Sequence, residues 1–490
     1  MNGRSASSPR RRGGRQANVL SPRFPLRALA LIWGSWLAMA LILGLLNSAA
    51  GPATVAAEIL ILLHAGLGVI ILALLHDGKS SAILGAALII RTALVFWDLN
   101  FSNVLLLPNS GSDTEIYFFW AQQVAQKPSL IFEDIRGEVY SKVMGLLFWV
   151  TGVLRSFGQY TNALLGMSVV LLMEDILERI HLDDAQRLRV LTVVALLPNA
   201  MVLSAIFLRE SLISFLVAVS IYFFVRWFHG GGAWNILVVA AAVMAASTLH
   251  AGVIAVGIGY MAVVPFYRRA QGRFGVSLLT VMYLGFFAVI VYFVIAQYPD
   301  LFLGKFEAFE SESDLLKATN YRGGGSQYLS DLTIASYGDL VRVGPLRALY
   351  FLASPMPWDF RGLVDLVTFA LDSLFYIGVP AVFLLKGRQI DPRWRPLGYA
   401  LLVILAVSSL LFGAGVSNAG TAARHRFKLV SLVMVLFIVV AKRIKTSGAA
   451  TRAPGQAQVA AGHAALFSDE RTSMAGTGAP VSGRVECVDV

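Results

Sequence analysis

Ala28-Leu-Ala-Leu-Ile-Trp-Gly-Ser-Trp-Leu-Ala-Met-Ala-Leu-Ile-Leu-Gly-Leu-Leu46 carries no charged residue, and the twenty-seven residues before it hold seven arginines (Arg4, Arg10, Arg11, Arg12, Arg15, Arg23, Arg27) and no acid. As a helix rising about 1.5 Å per residue, the apolar stretch covers roughly the 30 Å of a bilayer core. Arginines crowded on one side of such a stretch mark the cytoplasmic side, so the N-terminus is expected there. The apolar core of a cleaved signal peptide is shorter, about 7–15 residues, so this stretch is read as a retained first crossing.

Further apolar stretches follow at 54–75, 80–98, 138–154, 160–178, 188–208, 210–228, 235–266, 276–297, 363–386, 396–414 and 427–441. They predict an all-α, polytopic integral membrane protein with about ten to thirteen transmembrane helices. Three stretches leave the count open. Pro198 interrupts 188–208, His250-Ala-Gly252 interrupts 235–266, and 427–441 is short for a crossing.

Composition agrees with that class: 57% of the 490 residues are hydrophobic, 14% are charged, and the mean hydropathy is +0.69. A soluble domain carries about a quarter charged residues. The net charge of +11 would suggest nucleic acid in a soluble chain, but here it lies at the chain ends and between apolar runs, so no nucleic-acid partner is expected. The single cysteine, Cys487, has no intrachain partner, which excludes a disulfide framework and cysteine-rich zinc sites.

The basic loops His76–Lys79, Tyr267–Arg273, Lys386–Arg395 and Lys442–Lys445 are expected in the cytoplasm. The two long loops, 99–137 and 298–362, then face the other side, the periplasm of a bacterium. Loop 174–189 has five acids against three arginines, and charge does not assign it a side. The organisation predicted is a basic cytoplasmic segment 1–26, a membrane domain 27–441 and a disordered cytoplasmic tail 442–490.

Five constellations could carry chemistry. Asp113 and Glu115 lie at the start of an aromatic-rich amphipathic segment in the first long loop. Ser112-x-x-Glu115 fits a capping box, while Asp113 is either a helix-dipole anion or a general base. Arg209-Glu210 stands between two apolar runs, either as a loop edge and helix cap or as a functional pair, its side chains about 100° apart on a helix. His250 is an imidazole in membrane context, functional or hydrogen-bonded between helices. Tyr321-Arg322-Gly-Gly-Gly-Ser-Gln-Tyr328 offers an arginine and glycines that let backbone N–H groups approach an anion, or else a flexible connector. Arg424-His425-Arg426, if outside, runs against the positive-inside tendency and suits an anionic lipid headgroup; if the last stretch does not cross, the cluster is cytoplasmic.

Taken together, Asp113-Thr-Glu115-Ile-Tyr117, Tyr140, Phe157-Gly158 with Asn162 to Gly166, Pro198 with Arg209-Glu210, and Gly420 to Arg426 make the chain resemble the bacterial GT-C-type membrane glycosyltransferases and Wzy-like oligosaccharide-repeat polymerases, over about residues 27–441. The resemblance is one of layout. It implies a GT-C-like fold and transfer of sugar units from a polyprenyl-phosphate or diphosphate-linked saccharide to a glycan or lipid acceptor at the periplasmic face of the inner membrane. It puts Asp113, with Glu115 second, in the role of base or ligand of a divalent metal. Arg322, Arg424, His425 and Arg426 would hold the donor phosphate, with Arg209, Glu210 and His250 supporting. The chain departs from several such transferases in having no large soluble domain after its last crossing. The competing class is a lipid-linked oligosaccharide flippase or another secondary transporter, in which Arg209, Glu210 and His250 would line a path; it expects matched internal repeats, and none is visible.

Overall fold

The computed structural model describes residues 24–50, 54–135, 138–268, 272–278, 280–282, 285, 326–329, 332 and 336–442. Arg322, most of the stretch 276–297, most of loop 298–335 and the tail from 443 onward lie outside the described residues.

Three crossings open the fold: α1 (Phe24–Ala50), α2 (Thr54–Leu75) and α3 (Gly78–Asn100). Asp77 sets the start of α3 by accepting from Lys79 N and Ser80 N at 3.1 Å each, and it also pairs with Arg187. The chain then forms two helices of the first long loop, α4 (Ser112–Gln126) and α5 (Glu138–Thr151), before α6 (Arg155–Ile180). α6 is the post around which the rest packs, buried on nearly every face. Trp33 Nε1 donates to Ser168 Oγ at 2.8 Å, Trp36 Nε1 to Thr161 Oγ1 at 3.2 Å, and Gln159 Nε2 to Asp98 Oδ2 at 2.6 Å, tying α1 and α3 to it. Close approach needs small residues. A Cβ on Gly166 would sit 2.5 Å from Ser204 Cβ, and one on Gly158 would sit 2.5 Å from the Phe207 ring.

α7 (Asp184–Ala195) and α8 (Pro198–Ala205) are two helices bent by 42° at a break before Pro198, so the stretch 188–208 is divided where its proline stands. A proline cannot continue the hydrogen-bond ladder, and the wholly buried Arg91 answers the break by donating to Ala195 O at 3.1 Å. α9 (Glu210–Phe228), α10 (Trp234–Leu249) and, after a turn at Ala251–Val253, α11 (Ile254–Met261) follow, so 235–266 is two shorter apolar helices divided at His250-Ala-Gly252. A two-stranded ribbon, β1 (Tyr267–Arg268) with β2 (Arg273–Phe274), follows. Then come α12 (Tyr337–Ala353), α13 (Leu363–Thr368) running through a π turn into α14 (Leu374–Lys386), α15 (Arg395–Gly415), α16 (Ala419–Phe427) and α17 (Val430–Ala441).

The chain is therefore an all-helical multi-pass membrane protein. Among the described residues six helices are long and apolar enough to cross, seven with the bent pair, and α5, α10, the segment Ala251–Phe266 and α17 are shorter apolar helices. The stretch 138–154, expected as a crossing, folds differently. α5 spans about 21 Å and packs along α4, with Ser141 Oγ donating to Tyr117 O and Tyr140 accepting from Asn162, so it stays in the half of the protein where α6 begins.

The two ends differ in charge. His76 Nε2 stands 3.2 Å from Glu174 Oε2, Lys442 Nζ donates to His181 O at 2.7 Å, Asp391 N donates to Lys442 O at 3.0 Å, and Tyr267 stacks on Phe228 at 3.8 Å. Among the described residues, His76–Lys79, Tyr267 and Arg268, Lys386–Arg395, Lys442 and the ambiguous loop 174–189 thus gather at one end. The opposite end holds the starts of α4, α6, α9 and α16.

Candidate functional site

Gly111, with φ +93°, turns the chain into α4, and Thr114 Oγ1 closes the turn by accepting from Gly111 N at 3.1 Å and donating to Gly111 O at 2.7 Å. Thr114 thus occupies the capping role that the sequence reading gave to Glu115. Glu115 instead takes both arms of Arg155, at 2.8 and 2.6 Å, and the guanidinium holds its carboxyl below the usual carboxylate range. Asp113, two residues earlier, points elsewhere and accepts from Arg424 Nη1.

The break between α8 and α9 places the second carboxylate. Asn162 Nδ2 donates to Ile206 O at 2.8 Å and Leu208 O at 3.0 Å, pinning the non-helical residues so that α9 starts at Glu210 inside the protein. A carboxylate at a helix N-terminus is favoured by the helix dipole. Glu210 Oε1 accepts from Arg424 Nε at 2.7 Å, and Lys428 Nζ lies 3.6 Å from the same oxygen. Asp113, Arg424, Glu210 and Lys428 form one row running inward, with side-chain exposures of 45%, 15%, 0% and 0%.

Successive helical residues point about 100° apart, so the run Arg424-His425-Arg426 serves three neighbourhoods. Arg424 and Lys428, four apart, share the face toward Glu210. His425 meets His250 edge-on at 4.9 Å between centroids, and both rings pack on Phe412. Arg426 is wholly buried and spent on structure. It donates to Asp372 Oδ2 at 2.6 Å, Ser373 Oγ at 3.2 Å, Ser354 O at 2.5 Å, Leu352 O at 3.1 Å and Phe351 O at 3.3 Å. Both terminal nitrogens of Arg426 are thus engaged inside the protein, unlike those of Arg424, one of which faces the exposed Asp113. Arg209 is likewise engaged: it donates to Leu249 O, the end of α10, at 3.1 Å, and stands 5.6 Å over the Tyr117 ring. His250 Nδ1 accepts from Gly252 N at 3.2 Å, which shapes the turn into α11.

The tail of the glycine-rich constellation arrives at the same place. Tyr328 N donates to Ser417 O at 3.0 Å, Ala419 N to Ser326 O at 2.9 Å, and Tyr328 Oη to Val416 O at 3.1 Å, so Ser326–Tyr328 is laced to the residues that start α16. Asn418 Oδ1 caps that helix by accepting from Thr421 N at 2.9 Å.

The structure thus unites Asp113, Glu210, Arg424, His425 and His250, with Arg209 at the margin, and separates Glu115 and Arg426. Lys428 and Asp372 were missed by the sequence reading. Each had a signal: Lys428 follows Arg424 by one helical turn, and Asp372 is an acid inside an apolar stretch. Three buried polar atoms of this cluster, Glu210 Oε2, His425 Nδ1 and Lys428 Nζ, have no hydrogen-bond partner among the described residues. Among the described residues no group of three or more His, Cys, Asp or Glu is placed to hold a metal ion. No protein-family model, curated protein or solved structure matches the chain.

Proposed function

We propose that the chain is a bacterial inner-membrane glycosyltransferase of surface-polysaccharide assembly, with a cytoplasmic N-terminus and its site at the periplasmic face, acting as a GT-C-type transferase or a Wzy-like repeat-unit polymerase. Its donor is a polyprenyl-phosphate or diphosphate-linked saccharide and its acceptor a glycan or lipid. The observation that carries this is the row from solvent-reachable Asp113 through Arg424 to buried Glu210 and Lys428, at the end opposite the basic loops. A carboxylate at the surface with cations behind it suits a reaction in which a hydroxyl loses a proton and an anion departs.

In the step proposed, an Asp113 carboxylate oxygen takes the proton of the acceptor hydroxyl while the hydroxyl oxygen bonds to the anomeric carbon. The bond from the anomeric carbon to the phosphate oxygen breaks, and its electron pair leaves on the phosphate. The charge growing there is met by Arg424 and by Lys428, and removing one such donor commonly costs about 10²–10³ in rate. The α4–α5 hairpin suits a lipid-borne substrate, since Phe119, Phe132, Val143, Leu146 and Trp149 are all exposed on it and would meet hydrocarbon.

The test is the length distribution of surface and lipid-linked glycans in a deletion strain complemented with wild type, Asp113→Asn or Arg424→Ala, each variant first shown to accumulate in the membrane. Loss of long chains with a single lipid-linked unit outside identifies the polymerase. Chains of full length lacking one sugar identify the single-sugar transferase. Units trapped on the cytoplasmic side overturn the proposal in favour of a flippase.

A further inference from the structure

Two carboxylates share the Arg424 guanidinium on unequal terms. Glu210 is wholly buried at the first residue of α9, behind a break pinned by Asn162, and it holds Nε at 2.7 Å. Asp113 takes Nη1 from a helix of the surface hairpin, with its side chain 45% exposed. Exposed ion pairs are weak, whereas removing the partner of a buried charge is costly. The Asp113 arm is therefore the one that opens.

An anion approaching from the solvent side meets that arm first. Exchanging a carboxylate oxygen for a phosphate oxygen keeps Arg424 paired on both edges throughout, so the guanidinium is never left without a counter-charge. Behind it, the buried Glu210 keeps its hold on Nε, so the guanidinium stays in place while its outer arm changes partner.

We infer that Asp113 is a displaceable plug: the phosphate of the incoming donor takes its place on Arg424 and releases the Asp113 carboxylate to accept the proton of the acceptor. This rests on reading the site as one of glycosyl transfer. It orders the reaction, donor before acceptor. While Arg424 holds Asp113, the base is engaged, so an acceptor or a water molecule arriving first is not activated.

The experiment uses the full chain in detergent micelles with farnesyl diphosphate as probe and inorganic pyrophosphate beside it, affinity being read by calorimetry. Removing a competing carboxylate must strengthen anion binding. Asp113→Asn is expected to lower Kd by about two- to fivefold, the worth of an exposed ion pair, and Arg424→Ala to raise it about tenfold or more. The lipid probe is expected to bind more tightly than pyrophosphate, with the same direction of change for both. Glu115→Gln removes the same charge from the same helix but frees Arg155 rather than Arg424, and it is expected to leave Kd as in wild type. If Asp113→Asn binds no better than wild type, or if Glu115→Gln tightens binding equally, the exchange is wrong while the donor reading stands. If wild type binds neither probe, the donor reading falls and the exchange with it. Asp113→Ser, expected to act in the same direction, carries the test should the asparagine variant fail to accumulate.

Discussion

Replacing Arg426 by Met tests whether the last basic cluster divides its labour between structure and ligand. Arg426 makes five hydrogen bonds, one to the Asp372 carboxylate at 2.6 Å, and its guanidinium lies 5.5 Å over the Tyr376 ring, all in the protein interior. Asp372 in turn accepts from Asn199 Nδ2 at 3.1 Å, so α8, the π turn that leads into α14, and α16 meet at this one pair. A neutral hydrogen bond between helices in a membrane protein averages only about 0.6 kcal/mol. A buried charge stripped of its partner costs about 3–5 kcal/mol. Arg426→Met and Asp372→Asn should each lose about that much. The double variant should lose less than either single one, because no unpaired charge remains. Unfolding in mixed micelles by increasing sodium dodecyl sulfate, followed by tryptophan fluorescence, measures all four proteins. Losses that add in the double variant would refute the pairing. An Arg426→Met protein as stable as wild type yet devoid of glycan transfer would return Arg426 to the phosphate-binding role that the sequence suggested.

Two further outcomes follow from the packing. Burial alone would lower the pKa of His76, but the Glu174 carboxylate 3.2 Å away, with the charge of Glu178, outweighs that and raises it above 6.5. The pair's contribution to stability is therefore complete below about pH 6.5 and is lost as pH rises through the higher folded value; a melting temperature that does not fall on raising pH, or that falls equally in His76→Gln, would contradict this. Gly166→Ala would press its Cβ to 2.5 Å from Ser204 Cβ, whereas at Gly66 a Cβ meets nothing within 4 Å. Overpacking costs about 1–3 kcal/mol, so Gly166→Ala should destabilise and Gly66→Ala should not, in the same micelle assay.

Much of the architecture was legible in the sequence because long apolar runs and basic loops each have one physical meaning in a bilayer. The stretches at 28–46, 54–75 and 80–98 lie within α1, α2 and α3 to within a few residues, and the break at His250 falls where the polar imidazole and glycine interrupt the run. Apolar character does not tell a crossing from a buried surface helix, which is why 138–154 read as a crossing and folded as half of the α4–α5 hairpin. Nor does loop charge assign a side when acids outnumber arginines, as at 174–189. There the partners decide: Glu174 sits against His76, and Asp77 against Arg187. In the site, residue type pointed to Asp113, Glu210, Arg424 and His425, but only direction around α16 separates Arg424 from Arg426. Lys428 escaped notice because it was counted with the apolar run that follows it.

The lacing of Ser326–Tyr328 onto the start of α16 is made largely of backbone atoms, with Tyr328 Oη and Ser326 Oγ as the side-chain contributors. Two of its bonds run from backbone to backbone, Tyr328 N to Ser417 O and Ala419 N to Ser326 O, and main-chain bonds do not depend on which side chain a residue carries. The turn that delivers Arg424 is thus fixed in part by main-chain geometry, so a substitution that keeps the path of the chain there leaves the start of that helix where it is.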